Sequence, residues 1–274
     1  MRVVVTRPAH ESLRWVQALG RAHIDAVALP LILTLPADDV AQVQAAWRRL
    51  AQYDAVMFVS AAAADHFFGA RPAGEEPVKG WPDRPLPRAW APGPGTALAL
   101  QRQGVPPHRI DTPDPHAGQF DSEALWRRLG ASVAALSRVL VVRGADSAGA
   151  TLEAGGRSAE PGQGQGRDWL AQRLRDHAVQ VDFVVAYRRA APTAAQLQAA
   201  LRQPDVAGAG LWLFTSAQAI RNLAEALPQQ DWSGRRALVT HPRIAQAARR
   251  AGFVVAGVTR PALVDVVASI KSIQ

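Results

Sequence analysis

Hydroxyl and basic side chains stand at the junctions where apolar segments give way to helical patterns. Five junctions share this feature: Thr6-Arg7-Pro8, Val59-Ser60-Ala61, Pro92-Gly93-Pro94-Gly95-Thr96, Thr215-Ser216-Ala217 and Thr240-His241-Pro242-Arg243. In a parallel sheet, ligands bind at the edge where strands end and helices begin. The serine and threonine hydroxyls can simply act as helix N-caps by accepting backbone N–H groups. Their recurrence also predicts several helix N-termini that together attract an anionic ligand such as a carboxylate.

Tyr187 is a further candidate residue at a strand end. The chain has 2 tyrosines, and Tyr187 follows the apolar segment at residues 181–186, so its phenol is expected where a strand ends. A phenol is protonated at neutral pH and can donate a proton or a hydrogen bond. The pattern fits an ordinary aromatic residue at a strand end equally well, and both interpretations stay open on the sequence.

Metal and covalent chemistry lack a recognisable pattern. The chain has no cysteine, which excludes disulfides, thiolate ligands and a cysteine nucleophile. A Gly-x-Ser-x-Gly motif is absent, and Asp121-Ser122-Glu123 is typical of a helix start, so we expect a capping role there rather than an acid pair. The residue pattern therefore predicts no metal site. The histidines are scattered without metal-ligand spacing, among them His66, His108, His116, His177 and His241.

The charge balance is basic, at +8 over 274 residues, and arginine supplies nearly all of it because Lys79 and Lys271 are the two lysines. A GC-rich coding sequence favours arginine, and we take this as the main cause. A positive protein still attracts anionic partners, either nucleic acid or a polycarboxylate metabolite. Dispersed arginine pairs argue against nucleic acid, which needs basic and aromatic residues on one face. No apolar segment reaches about 18 residues and no signal-peptide pattern is present, so we expect a cytoplasmic protein without a membrane span.

Short apolar runs alternate with helical patterns along the whole chain, which is typical of an α/β protein with parallel sheets. Strands are predicted at residues 2–6, 26–31, 55–59, 89–91, 139–143, 181–186, 211–215, 237–240 and 254–258. Helices are predicted at residues 11–21, 40–50, 61–68, 96–103, 122–129, 168–177, 194–202, 217–226 and 243–251. Proline and glycine predict a surface loop at residues 71–87, and a glycine-rich segment predicts a mobile insertion at residues 145–166.

A weak internal repeat indicates two similar domains. Three sets of residues recur in the same order: Trp15, Arg21, His23 and Val27 as Trp169, Arg175, His177 and Val181; Phe58-Val59-Ser60 as Phe214-Thr215-Ser216; and Pro94 and Gly104 as Pro242 and Gly252. Three ordered matches are hard to obtain by chance. We therefore expect two similar α/β domains, each with a parallel sheet flanked by helices, and an active-site cleft between them.

An ordered series of motifs extends over nearly the whole chain. The motifs are Val4-Val5-Thr6-Arg7-Pro8, Phe58-Val59-Ser60, Gly93-Pro94-Gly95-Thr96-Ala97, Phe120-Asp121-Ser122-Glu123-Ala124-Leu125, Val139-Leu140-Val141-Val142-Arg143-Gly144, Gly166-Arg167, Ala186-Tyr187-Arg188-Arg189, Phe214-Thr215-Ser216 and His241-Pro242-Arg243-Ile244-Ala245. Each motif is weakly specific alone. In this order they resemble the uroporphyrinogen-III synthase family.

The resemblance implies a discontinuous domain of residues 1–36 and 190–274, a second domain of residues 37–189, and a two-strand linker joining them. The residues alone would suggest a plain halving near residue 135, so this division comes from the resemblance. One departure from the family lies at residues 145–165, because the family usually passes within a few residues from this Arg-Gly to the next Gly-Arg. It leaves open where Arg167 lies relative to Arg143.

The resemblance also implies a reaction in haem biosynthesis, catalysed by a lyase without a cofactor. The substrate is hydroxymethylbilane, a linear octacarboxylate tetrapyrrole. It loses its hydroxyl to give an azafulvenium, passes through a spirocyclic intermediate, and closes to uroporphyrinogen III with the terminal pyrrole inverted. Tyr187 would be the catalytic residue that assists departure of the hydroxyl. Ten further residues would bind the substrate: Arg7, Ser60, Gly95, Thr96, Arg143, Arg167, Thr215, Ser216, His241 and Arg243.

We expect a monomer whose partners are the small substrate and, transiently, the enzyme that makes hydroxymethylbilane. No metal, nucleotide or flavin is implied. The main alternative is a two-domain binder of an anionic small ligand without catalysis. Such a binder would keep the cleft but would not need the Tyr187 phenol.

Overall fold

The computed structural model describes residues 1–72, 87–114, 121–145 and 165–274. In chain order the elements are β1 (Val3–Val5), α1 (Ala9–Arg21), β2 (Ala26–Ala28), β3 (Leu33–Pro36), α2 (Val40–Arg48), β4 (Ala55–Phe58), α3 (Ala61–Gly69), β5 (Arg88–Trp90), α4 (Pro94–Arg102), β6 (Ile110–Asp111), α5 (Ser122–Leu129), β7 (Arg138–Ala145), α6 (Gln165–Asp176), β8 (Gln180–Ala190), α7 (Ala194–Arg202), α8 (Pro204–Ala207), β9 (Leu211–Phe214), α9 (Ala217–Ala226), β10 (Arg236–Val239), α10 (Pro242–Arg250), β11 (Val254–Val258) and α11 (Leu263–Ile273). The predicted loop and insertion lie almost entirely outside the described residues. Within those residues, no helix is both long and apolar enough to cross a membrane.

One compact unit, the terminal unit, consists of Met1–Thr34 and Ala190–Gln274. Its sheet has the strand order β11-β10-β9-β1-β2, and neighbouring strands run parallel. The three valines of β1 are fully buried, as expected for a central strand covered on both faces. Residues of α1 and α11 pack on one face, and residues of α7, α9 and α10 pack on the other.

The second compact unit, the central unit, consists of Leu35–Arg189. Its sheet has the order β3-β8-β7-β4-β5-β6, and the pairs from β8 to β6 run parallel. Residues of α2, α3 and α4 pack on one face, and residues of α5 and α6 pack on the other. The predicted α/β class, with parallel sheets flanked by helices, is therefore confirmed. The two-strand linker and the cleft stay predictions.

The structure departs from the predicted elements where strands are short or interrupted. β2 ends at Ala28, earlier than predicted, although Leu29 and Leu31 still donate backbone N–H groups to Val5 and Thr6. β3 and β6 are missing from the predicted set, and β3 ends in Pro36, which is tolerated because β3 is an edge strand. The helices α8 and α11 are missing from the predicted set as well. The capping role predicted near the start of α5 is confirmed, because Asp121 accepts an N–H of the first turn at 2.8 Å.

The internal repeat has a structural counterpart in two helix ends. Gly104 and Gly252 follow α4 and α10 with φ values of 88° and 98°, a left-handed conformation that favours glycine. The match of His23 with His177 is wrong by one residue. The residue with positive φ after α1 is His23, at 60°, but after α6 it is Ala178, at 61°. The backbone geometry of the two turns therefore pairs His23 with Ala178, whereas the sequence repeat pairs His23 with His177.

Candidate functional site

Tyr187 lies within β8 rather than at its end, because β8 continues beyond it. The register of β8 with β7 shifts after Arg143, and Gly144 aligns with Tyr187. This leaves Ala186 as the extra residue of a β-bulge. Side chains alternate in a regular strand, but Ala186 and Tyr187 belong to the same core cluster. The bulge therefore turns the Tyr187 ring into the core, where it is 2% exposed.

Three residues fix the position of the Tyr187 side chain. Gly144 lies so close to the ring that a Cβ added to it would be 2.4 Å from Tyr187 Cζ. The His66 ring stacks on the Tyr187 ring, with centroids 5.6 Å apart and an angle of 18° between the planes. The Oγ atom of Ser60 lies 3.2 Å from Tyr187 Oη, and either hydroxyl can donate. The phenol is thus held by groups from β7, from the residue that precedes α3 and from α3 itself.

Ser60 brings a helix N-terminus to the same place. It directly precedes α3 and is its N-cap, since Ser60 Oγ accepts the Ala63 N–H at 3.1 Å. This confirms the capping role predicted from its position after an apolar strand. Because β4 lies next to β7 in the sheet, the start of α3 adjoins the end of β7, where Gly144 lies. Ser60 is half-buried, whereas Tyr187 is buried.

The N-terminus of α4 lies at the same edge, because α4 follows β5 and β5 pairs with β4. The prediction that Thr96 is an N-cap is wrong, since Gly93 occupies that position and Pro94 the next. Thr96 instead lies in the first turn, directly after Gly95, and is 6% exposed. Within the part of the chain that the structure describes, no side chain caps α4. Small residues at a helix start allow an anion to approach the backbone closely.

In the terminal unit, α9 and α10 begin at one edge because they follow the neighbouring strands β9 and β10. Ser216 caps α9, its Oγ accepting an N–H of the first turn at 3.2 Å. Thr215 precedes it and is half-buried. The N-cap of α10 is His241 rather than the expected Thr240. His241 Nδ1 accepts the Arg243 N–H at 3.1 Å, and both residues are exposed.

Arg7 follows β1 at this edge of the terminal unit and is engaged by its own helix. Its guanidinium lies 2.6 Å from the Glu11 carboxylate and 4.8 Å from the ring centroid of Trp15. These contacts hold the side chain along α1. Any carboxylate ligand that binds Arg7 must therefore share it with Glu11.

Arg143 is not grouped with the Tyr187 phenol. Alternate residues of β7 belong to opposite core faces, which places Arg143 on the face away from Gly144. Its guanidinium lies 4.8 Å from the ring centroid of Phe183. Arg167 belongs to the first turn of α6, and its side chain is not among those that the structure describes. The place of Arg167 relative to Arg143 therefore stays open.

Sequence reasoning did not identify Gly144 or His66 as site residues. A signal for Gly144 was present, because a glycine inside a strand often marks a bulge or the close approach of another group. The scattered histidines offered no comparable signal for His66. Its contact with Tyr187 depends on how α3 packs over β7 and β8.

The second tyrosine, Tyr53, lies at the other end of β4 in a separate polar network. Tyr53 Oη donates to Asp182 at 3.0 Å, and the Arg138 guanidinium lies 2.6 Å from the same carboxylate. Burial raises the pKa of Tyr53, and the hydrogen bond to Asp182 raises it further. In the described ranges, no cluster of three or more histidine, cysteine, aspartate or glutamate residues has metal-binding geometry.

The fold and the residues at the ends of the strands place this chain among α/β proteins that consist of two units. In each unit, helices begin at the carboxyl edge of a parallel sheet, and such helix N-termini suit anionic ligands. A family profile described as Uroporphyrinogen-III synthase HemD matches residues 14–155 and 149–263. The chain therefore belongs to the uroporphyrinogen-III synthase family.

Two solved structures are similar to this chain. The uroporphyrinogen-III synthetase of Helicobacter pylori is 15% identical, with a TM-score of 0.51 and 100% of each chain covered. A mutant uroporphyrinogen III synthase from the extremely thermophilic bacterium Thermus thermophilus is 17% identical, with a TM-score of 0.44, and 99% of this chain and 96% of that chain are covered. The first likeness supports the fold of this chain.

Proposed function

We propose that the protein is a uroporphyrinogen-III synthase that converts hydroxymethylbilane to uroporphyrinogen III with loss of water and inversion of the terminal pyrrole. Family membership over both units carries this proposal. The buried phenol of Tyr187 beside the N-terminus of α3 supports it, because a proton donor next to an anion-attracting helix end suits a polycarboxylate with a poor leaving group. The proposal makes the protein a cyclising lyase.

The chemistry begins at the hydroxymethyl group of the substrate. Its carbon–oxygen bond breaks, the electron pair goes to oxygen, and a proton that originates on Tyr187 completes a water molecule. The substituted carbon of the terminal pyrrole then attacks the azafulvenium cation that remains, and this new carbon–carbon bond forms the spirocycle. Fragmentation and closure in the reverse orientation release the product, and the closing carbon loses a proton that restores Tyr187. We assign no step to a metal, nucleotide or flavin.

The remaining work is positional, since the flexible chain must be held so that direct closure to the symmetrical isomer is excluded. We propose that the substrate binds at the starts of α3 and α4, where Ser60, Gly95 and Thr96 lie, and that nearby backbone N–H groups hold its carboxylates. In the terminal unit, the starts of α9 and α10 supply corresponding contacts through the hydroxyls and the basic side chains at that edge. Arg7, Arg143, Arg167, Thr215, Ser216, His241 and Arg243 complete the proposed set. Net charge of +8 favours the approach of such a substrate.

An isomer assay with freshly made hydroxymethylbilane tests the function. We expect the purified protein to yield the type III isomer without added metal or cofactor, whereas the substrate alone closes to the type I isomer. Tyr187→Phe should lower the rate by about 10²–10³-fold, as removal of one preorganised donor does. Type I product alone would contradict the proposal. An anion-binding protein without catalysis would give that result and would bind the substrate equally well after Tyr187→Phe.

We further propose a cytoplasmic monomer with transient contact to the enzyme that supplies its substrate.

A further inference from the structure

Tyr187 and Ser60 form a hydrogen-bonded pair whose members differ in accessibility. Tyr187 is 2% exposed, and its ring is packed against Gly144 and His66. Ser60 is half-buried and stands at the start of α3. A ligand attracted to this helix N-terminus therefore meets the Ser60 hydroxyl before it reaches the phenol.

When Tyr187 is the donor of the pair, the hydrogen bonds of Ser60 leave its own proton available. A serine hydroxyl has one proton to donate and two lone pairs. One lone pair accepts the Ala63 N–H at 3.1 Å, as the capping role requires. The other can accept the phenol proton of Tyr187 at 3.2 Å. With both lone pairs engaged, the Ser60 proton points away from these two partners and is free to be donated to a ligand.

We infer that Ser60 is a catalytic residue, which passes the proton of Tyr187 to the leaving hydroxyl of the substrate; this rests on the proposed function. As the carbon–oxygen bond breaks, the Ser60 proton joins the departing oxygen to give water. The phenol proton of Tyr187 moves to Ser60 Oγ in the same step. Ser60 thus ends as a neutral hydroxyl, Tyr187 ends as a phenolate, and the azafulvenium carries the positive charge. Ser60 acts here as a relay, and the backbone N–H groups at the start of α3 remain for a carboxylate of the substrate.

The test compares kcat and KM for Ser60→Ala, Tyr187→Phe and the double variant with hydroxymethylbilane as substrate. Each single change should lower kcat by about 10²–10³-fold and leave KM nearly unchanged. The double variant should be no slower than the slower single variant, because both changes interrupt one proton path. Ser60→Thr keeps the hydroxyl and the cap, so it should restore most of the rate.

A matched control separates the relay from the loss of a helix cap. Thr193 is the hydroxyl N-cap of α7, where its Oγ1 accepts the Gln196 N–H at 3.2 Å, and Thr193→Ala should leave kcat unchanged. Circular dichroism checks that every variant is folded. The relay would be overturned if Ser60→Ala were as fast as the wild type while Tyr187→Phe was slow, or if the losses multiplied in the double variant. Wild-type protein that forms type I isomer alone would instead contradict the proposed function.

Discussion

Replacing Gly144 with alanine places a methyl group against the ring of Tyr187. The added Cβ would lie 2.4, 2.6 and 2.8 Å from three ring atoms, about 1 Å inside the usual carbon–carbon contact of about 3.5–4.0 Å. The ring cannot retreat easily, because it is 2% exposed and stacks on His66. Overpacking of this kind costs about 1–3 kcal/mol. Loss of glycine flexibility in the unfolded chain opposes this by about 0.4–1 kcal/mol, so we expect a net loss of about 1–2 kcal/mol.

Urea unfolding followed by circular dichroism measures this loss, and the isomer assay measures the accompanying displacement of the phenol from Ser60. Gly69→Ala is a matched control in the central unit, because no atom lies within 4 Å of a Cβ added there. Removing the ring should remove the clash, so Gly144→Ala should cost little in a Tyr187→Ala background. Unchanged stability of Gly144→Ala, or an equal cost with and without the ring, would refute the reasoning.

Three further predictions concern other parts of the chain. Gly252→Ala should cost about 1–2 kcal/mol in urea unfolding, because alanine is strained at a φ of 98° although the nearest atom is 3.7 Å from its Cβ; an unchanged midpoint would contradict this. Thr6→Val removes the buried donation from Thr6 Oγ1 to the Leu213 carbonyl at 2.7 Å and should cost about 1 kcal/mol, with an effect near zero as the contrary result. Ionisation of Tyr53, identified by the tyrosinate absorbance that Tyr53→Phe removes, should have its midpoint above the ordinary tyrosine pKa of 10.0. Because folding raises the pKa of Tyr53, its protonated phenol contributes to the free energy of unfolding below pH 10.0, and this contribution is lost as the pH rises through the folded-state pKa. An ionisation midpoint at or below 10.0 would contradict the argument that burial raises this pKa.

Local features of this protein could be predicted from its sequence because the interactions that create them join near neighbours. Ser60 and Ser216 cap their helices through N–H groups two or three residues further on, so a hydroxyl after an apolar run was sufficient evidence. The same logic failed for Thr96 and Thr240, where the helix begins one or more residues away from the expected position. Most strands were recognisable because parallel strands are buried on both faces and consist of continuous apolar residues.

Tertiary structure alone decided which distant segments come together. The chain could have been halved near residue 135, but pairing of β1 with β9 joins Met1–Thr34 to Ala190–Gln274. The orientation of Tyr187 was likewise undetermined, because alternation along β8 is broken by a bulge that exists only in its register with β7. The composition of a strand shows which of its faces is apolar, whereas its register depends on pairing with strands that are remote in the sequence. For that reason the sequence could name Tyr187 as a candidate, but only the folded chain places its phenol beside Ser60 and its ring against Gly144.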